Sequence, residues 1–438
     1  MNRQQGIQWL YGELPTLLSE GVLSPETATQ LQQYYGTVQV RHRRTLVLLI
    51  CSIFSAILIG LGIILLFAHN WQDFSRPVRT VLAFLPLLAG QLLTAWAMQY
   101  RAASAAWREG AAMFLCLAIG ACIALVGQTY HIAGSMTHFL LTWIVLALPL
   151  VYLVPASLPA ALAWLGLPFW VFYAQQQWGQ AVLFWPLAAV PVPHLWVALR
   201  ANPYGQRSVL LSWALSLCLS IAVGLTLEHH LPGLWIVVYT GLFAVFYLLD
   251  AHAPNAALAF WQRPWHTVGV AGLAGLSLLL TYNEPWRSIG RYSDHTVWRG
   301  PAWAAGQDYV LAVVLLVLTL GLLVSRRRRQ PPGQVLFGVA PYVAALAYVA
   351  VASGVSADVA RLVFNVYVLL LGIDAIRSGI RHGRLGTMNA GLLLVSGLIV
   401  ARFLDVELSF TVRGIVFIGL GAAFLGINLV LKRRGVIS

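Results

Sequence analysis

Residues 110–154 read GAAMFLCLAIGACIALVGQTYHIAGSMTHFLLTWIVLALPLVYLV, and no charged side chain returns until Arg200. From Gly110 to Leu199 there is no Asp, Glu, Lys or Arg. A water-soluble domain of that size needs charged side chains on its surface, because these four residue types are the ones least often buried. The stretch therefore belongs in a bilayer. The rest of the chain agrees: of 438 residues, 59% are hydrophobic and 9% charged, against roughly 25% charged in an average soluble domain. Apolar runs recur along the whole length, so the chain is polytopic rather than a soluble domain on one anchor.

About 20 residues cross a hydrocarbon core about 30 Å thick, with roughly 17–25 the usual range. By that measure the sequence predicts about fourteen spans, at 46–68, 78–98, 111–127, 139–154, 157–174, 180–198, 208–227, 232–250, 266–281, 308–324, 334–352, 357–376, 387–402 and 411–431. Span length and the lack of period-two alternation predict helices rather than a β-barrel. The expected fold class is all-α, a polytopic transmembrane helix bundle. Spans five and six carry Pro159, Pro168, Pro186, Pro191 and Pro193. That is the pattern of broken or re-entrant helices, tolerated where protein covers the freed backbone. If both are re-entrant the count falls to twelve with the same parity.

The formal net charge is +13, and Lys432 is the only lysine. The arginine bias fits a bacterial genome rich in G and C, hence a bacterial inner membrane. Basic residues cluster between spans: Arg41, Arg43 and Arg44, then Arg101 and Arg108, Arg200 and Arg207, Arg263, Arg326 to Arg329, Arg377, Arg381 and Arg384, and Lys432 to Arg434. Alternation from the first cluster puts all of these on one side, so the positive-inside rule predicts both termini in the cytoplasm. A charge distributed this way marks loops, and no nucleic-acid partner is expected. The Arg326–Arg329 run, sufficient as a stop-transfer signal, is also of the kind that attracts anionic lipid.

Residues 1–45 read as a cytoplasmic helical lead-in, 46–154 as an N-terminal membrane bundle, 155–431 as the remaining bundle, and 432–438 as a basic tail. In the lead-in, Ile7, Leu10, Leu14 and Leu17 recur at helical spacing and Gly21 breaks the run. Ser24-Pro25-Glu26 then gives an N-cap, a proline at the first helical position and an acid in the first turn. A second helix is predicted from Pro25 to Tyr35. The four cysteines, Cys51, Cys116, Cys122 and Cys218, all fall in apolar runs without metal-ligand spacing and read as buried thiols. No HxxxH or HExxH spacing is present, and no metal, cofactor or catalytic motif is expected.

Several constellations are candidates for binding. His69, Asn70, Trp71, Asp73, Arg76 and Arg79 follow the first span, where Arg79 suits an anionic head group or simply joins a capped turn. Gln91 lies mid-span, where an amide seeks an interhelical hydrogen bond; with Gln128 and His131 it would line a polar cavity. Asp358, Arg361 and Asn365 share one face of span twelve at i,i+3 and i,i+4 spacing. Asp374 faces elsewhere and has Arg377 as its nearest partner. Charges within spans usually face a bundle interior and mark substrate or ion routes, which makes Arg361 with Asn365 the foremost candidate. Arg402 and Asp405 fall at the same leaflet depth, with Glu407 and Arg413 beyond; an exposed ion-pair network is the alternative reading there. In the loop 282–307, Arg287, Arg291 and Arg299 interleave with Tyr282, Trp286, Tyr292 and Trp298. Guanidinium groups bind phosphate oxygens bidentately, so this loop suits a lipid-linked phosphate, or else lies on the outer leaflet with its aromatics at head-group level. Small residues at packing spacing, Gly269, Gly272 and Gly275 and again Ala112, Cys116, Gly120 and Ala124, predict close helix contacts or a homodimer face.

Gly60-Leu61-Gly62-Ile63-Ile64 running into His69-Asn70-Trp71, with Arg76-Pro77 and Arg79, resembles a bacterial family of integral membrane proteins catalogued as domain of unknown function 2157. The resemblance takes in Trp9, Leu10, Gly21 and Ser24-Pro25-Glu26, and Gly127-Gln128-Thr129-Tyr130-His131, and covers roughly residues 1–150. Arg402-Phe403-Leu404-Asp405 followed by Arg413-Gly414 is similar to the end of such proteins. The family implies no established activity. Three functions remain in view: a transporter or flippase-like carrier of an amphipathic or anionic envelope molecule, an enzyme acting on a lipid-linked glycan at the outer leaflet, and a scaffold recruiting a partner through residues 1–40. Many spans without a catalytic motif favour the first.

Overall fold

Long apolar runs become helices here, and prolines and glycines decide where those helices stop. The computed structural model describes residues 13–14, 17–35, 73–178, 183–227, 233–250, 259–287, 302–326 and 332–405, with positions 10, 181, 289, 418, 419 and 421 besides. The chain divides into two compact units, residues 1–79 with 428–438, and residues 80–427.

In the first unit, α1 spans Pro25–Tyr35 as the capping signal predicts. Ser24 Oγ accepts the Thr27 N–H at 3.2 Å. Gly21, at φ +70°, turns the chain so that the Val22 and Leu23 N–H groups donate to the Leu17 carbonyl at 3.0 and 3.2 Å. Most of the helix expected before Gly21 lies outside the described residues.

Helix α2 is Arg76–Tyr100, α3 Ala105–Tyr130, α4 Met136–Ala147, α5 Leu150–Leu153 and α6 Leu158–Trp178. After the short α7 (Phe184–Ala189) and α8 (Val192–Ala201) come α9 (Gln206–Thr226), α10 (Leu234–Leu249), α11 (Pro264–Leu279) and the one-turn α12 (Glu284–Arg287). The described chain continues through α13 (Ala302–Arg326), α14 (Pro332–Gly338), α15 (Ala340–Ala352), α16 (Ala357–Arg381) and α17 (Leu385–Asp405). Among the described residues every regular element is helical, and 9 helical stretches are long and apolar enough to cross a membrane, α4 with α5 and α14 with α15 each counting as one. They coincide with predicted spans two to five, seven, and ten to thirteen. Spans eight and nine are occupied by α10 and α11, 16 residues each. Span six is in two pieces, while span one and most of span fourteen lie outside the described residues.

The proline-rich pair behaves asymmetrically. Span five, expected as a broken or re-entrant helix, is the continuous 21-residue α6. Pro159 sits at its second position, where a missing N–H costs nothing. Pro168 deletes one internal hydrogen bond, but Trp164, Leu167, Trp170 and Val171 around it are wholly buried against α4, α7 and α9, and packing holds the helix together. Span six does break, between α7 and α8 at Val190-Pro191. The carbonyls at this break are covered by other helices: Trp164 Nε1–H donates to Ala188 O at 2.9 Å, and the Tyr152 hydroxyl donates to Val190 O.

Close approach follows the small residues in part. A Cβ on Gly269 would lie 2.5 Å from the Tyr247 backbone nitrogen, so α10 and α11 meet backbone to backbone, and Gly272 lies under the Phe243 ring. Gly275, expected to join them, meets no atom within 4 Å. On α3, Ala112 and Cys116 are buried and Gly120 lies under Trp143, whose Nε1–H donates to Cys116 O at 2.8 Å; Ala124 is exposed. Cys122 and Cys218 are buried thiols like Cys116, and Cys51 lies outside the described residues. Outward faces carry large apolar side chains such as Leu92 and Leu393, 72% and 71% exposed. Apolar surface on this scale suits contact with lipid, not water. Side-chain contacts join alternate loops: Glu109 and Arg207 both reach the turn at 155–158, while Asn283 reaches Asp358. The second unit therefore has a Glu109 end and a Thr281 end.

Candidate functional site

At the Thr281 end, α16 is built to present charge. Ser356 caps it, its Oγ accepting the Asp358 N–H at 3.2 Å. Ala360, Phe364, Tyr367 and Leu371 turn inward, leaving Arg361 at the rim of the same helix. Phe364 packs against Trp286, with ring centroids 5.4 Å apart, and Trp286 Nε1–H donates to Leu280 O at 2.8 Å. Trp286 is fully buried, because this contact and the Leu280 carbonyl satisfy both its apolar body and its N–H. The plug fixes the segment Thr281-Tyr282-Asn283 against α16.

That segment is where the predicted residues meet. Thr281 is fully buried. Its carbonyl accepts from Asn365 Nδ2 at 3.3 Å, and its hydroxyl oxygen accepts from Arg402 Nη2 at 3.3 Å. Asn365 Nδ2 also donates to the Arg361 carbonyl at 2.7 Å. The Arg402 guanidinium lies 4.8 Å over the Tyr282 ring. Asn283 Nδ2 donates to Asp358 Oδ1 at 3.0 Å, and the same oxygen pairs with Arg361 Nη2 at 3.2 Å. Asn283 Oδ1 is buried with no hydrogen-bond partner among the described residues. The described side chains of the cluster are two arginines, two asparagines and the Asp358 carboxylate. Within it, Asp358 and Arg361 are tied to each other.

The other candidates fall elsewhere. Arg79 Nε donates to Phe74 O at 2.8 Å, which closes the turn entering α2. Gln91, Gln128 and His131 are each exposed. None of the three lines the nearby cavity of about 680 Å3, which is walled by residues such as Phe84, Cys122, Met136, His138 and Phe139. His131 instead ends α3 in the left-handed conformation at φ 50°. Arg287 pairs with Glu284 at 3.1 Å on the surface. Arg291 and Arg299, and the side chain of Asp405, lie outside the described residues, as do Glu407 and Arg413. Asp374 is half-buried and forms no ion pair with Arg377, which points outward from the same helix. No group of three or more His, Cys, Asp or Glu suited to a metal occurs among the described residues.

Sequence reasoning missed a second cluster, at the opposite end. Glu109 accepts the Ser157 N–H at 2.8 and 2.7 Å on its two oxygens and the Leu158 N–H at 2.8 Å, so a side chain of α3 caps α6. Arg207 Nε lies 3.7 Å from Glu109 and donates to Ser157 Oγ at 3.0 Å, while Nη2 donates to Pro155 O at 2.7 Å. His194 Nε2 is 3.3 Å from the same hydroxyl. Beside this cluster, Tyr204 donates to Asp250 Oδ1 at 3.3 Å, and burial together with that carboxylate holds the Tyr204 hydroxyl protonated above its ordinary range. The available signal was position alone: Glu109 directly precedes the uncharged stretch, and Arg207 is the second charge after it.

Fold and site define a multi-pass, all-helical membrane protein. Residues 15–160 match the model of a family described as "Predicted membrane protein (DUF2157)", which takes in Glu109 and Ser157 and ends before the Thr281 cluster. No curated protein and no solved structure matches the chain.

Proposed function

We propose that the chain is a carrier of an amphipathic, anionic molecule of the bacterial envelope. In this reading it lies in the inner membrane with both termini in the cytoplasm, and the Thr281 end faces outward. The observation that carries it is the convergence of Arg361, Asn365 and Arg402 on Thr281–Asn283, with Asp358 as the only described carboxylate in the cluster. Two guanidinium groups reach this rim, and guanidinium groups match phosphate or carboxylate oxygens, which favours an anionic head group. The broken α7–α8 pair adds support, since discontinuous helices are a recurrent device of carriers.

The test is movement across a bilayer. Purified chain is reconstituted into liposomes containing fluorescent phosphatidylglycerol labelled on its acyl chain, and inner-leaflet probe is followed by its exposure to an external reductant. The expected result is exchange at least about tenfold faster than in protein-free vesicles, falling by about tenfold in Arg402→Gln and Arg361→Gln, as loss of about 1.4 kcal/mol of binding would give. Exchange no faster than in empty vesicles, or unchanged in both variants, overturns the proposal. Chemical conversion of a lipid-phosphate probe, instead of movement, would point to the enzyme reading.

A further inference from the structure

At the Glu109 end, a cavity of about 350 Å3 opens between α8, α9, α10 and the start of α11. Its size is at the lower end of the roughly 300–1,000 Å3 range of small-molecule pockets. Leu195, Trp196, Leu199, Leu249 and Trp265 make its apolar walls, and Tyr204, Asp250 and Arg263 stand along its polar side. Trp213 Nε1–H donates to Trp261 O at 2.8 Å, fixing the turn before α11 to α9.

The charges at this mouth do not balance. Arg263 donates from Nε to Asp250 Oδ2 at 2.9 Å and from Nη2 to the Asp250 carbonyl at 2.7 Å, so these two neutralise each other. Arg200 is one residue beyond the wall residue Leu199, and its guanidinium lies 4.7 Å over the Trp196 ring. It has no acidic partner among the described residues. Stacking on an indole holds a guanidinium in place without consuming its N–H edge. Phe260 and Trp261, exposed beside the mouth, suit the interfacial level of a bilayer. Apolar depth, an aromatic rim and one uncompensated cation are the requirements of a charged lipid.

We infer that this cavity holds one anionic phospholipid of the adjoining leaflet, its phosphate on Arg200 and part of an acyl chain against Leu195, Leu199 and Leu249. Basic pockets between membrane helices bind anionic head groups in this way. The inference concerns the end opposite the Thr281 cluster and does not rest on the carrier reading.

The full chain in nonionic detergent is titrated with phosphatidylglycerol or phosphatidylcholine of identical acyl chains, and retained lipid is counted by native mass spectrometry. The wild type is expected to retain phosphatidylglycerol about tenfold over phosphatidylcholine. Arg200→Gln is expected to lower that preference by about fivefold, the weight of one arginine near a membrane surface, and Arg200→Lys to preserve most of it. Arg377→Gln, at an exposed arginine outside both clusters, leaves it unchanged. Equal retention of the two lipids by wild type, an Arg200→Gln variant indistinguishable from it, displacement by equimolar inorganic phosphate, or an equal loss of preference in Arg377→Gln would each overturn the inference.

Discussion

Replacing Glu109 by alanine tests how the uncharged stretch is anchored. Its carboxylate is 19% exposed and takes two backbone N–H groups at the start of α6, with contacts of 2.7–2.8 Å. Loss of a helix cap costs about 1–2 kcal/mol, and hydrogen bonds to a charged group contribute about 1.5–3 kcal/mol. These describe the same contacts from two sides, so they are not summed. The Arg207 pair adds little, since it spans 3.7 Å and Arg207 is 45% exposed; such pairs are worth about 0–1 kcal/mol. Glu109→Ala should therefore destabilise by about 1.5–4 kcal/mol, and Arg207→Gln by about 1 kcal/mol or less. Glu109→Gln should fall between them, because its amide oxygen still accepts one N–H while its NH2 group opposes the other. Unfolding in mixed micelles with increasing sodium dodecyl sulfate, followed by fluorescence of the 17 tryptophans, ranks the three. If Glu109→Ala shifts the midpoint no more than Arg207→Gln, the cap is not what holds α6 to α3.

Two further outcomes are expected. Trp164→Phe removes the donor to the Ala188 carbonyl and should cost about 1–3 kcal/mol, whereas Trp170→Phe should cost less in the same titration, since Trp170 Nε1 is buried without a hydrogen-bond partner among the described residues; equal losses would mean that the carbonyl at the break does not need its partner. Reporter fusions after residues 205 and 330 should both return a cytoplasmic signal, and a periplasmic signal at either position refutes the proposed orientation.

Bilayer residence and helical class were legible because both follow from local composition: an uncharged run from Gly110 to Leu199 admits few other readings. The start of α1 was legible from Ser24-Pro25-Glu26, where capping is a matter of adjacent residues. The candidate site was half legible. Helical spacing put Asp358, Arg361 and Asn365 on one face, and depth brought in Arg402, but Thr281 and Asn283 carry no periodic signal. Their partners lie 84 and 75 positions away in the chain, and only tertiary packing brings them together. Gln91 shows the opposite failure. The rule that a mid-span amide seeks another helix did not anticipate its exposed position. Proline content likewise overstated the break in span five, because it counts missing N–H groups and not the packing that compensates for them.

The covered break between α7 and α8 has a consequence for biogenesis. Tyr152 and Trp164, which satisfy Val190 O and Ala188 O, precede those carbonyls in the chain. During synthesis both donors leave the ribosome before the segment that needs them. The interrupted helix thus enters the membrane with its partners already made.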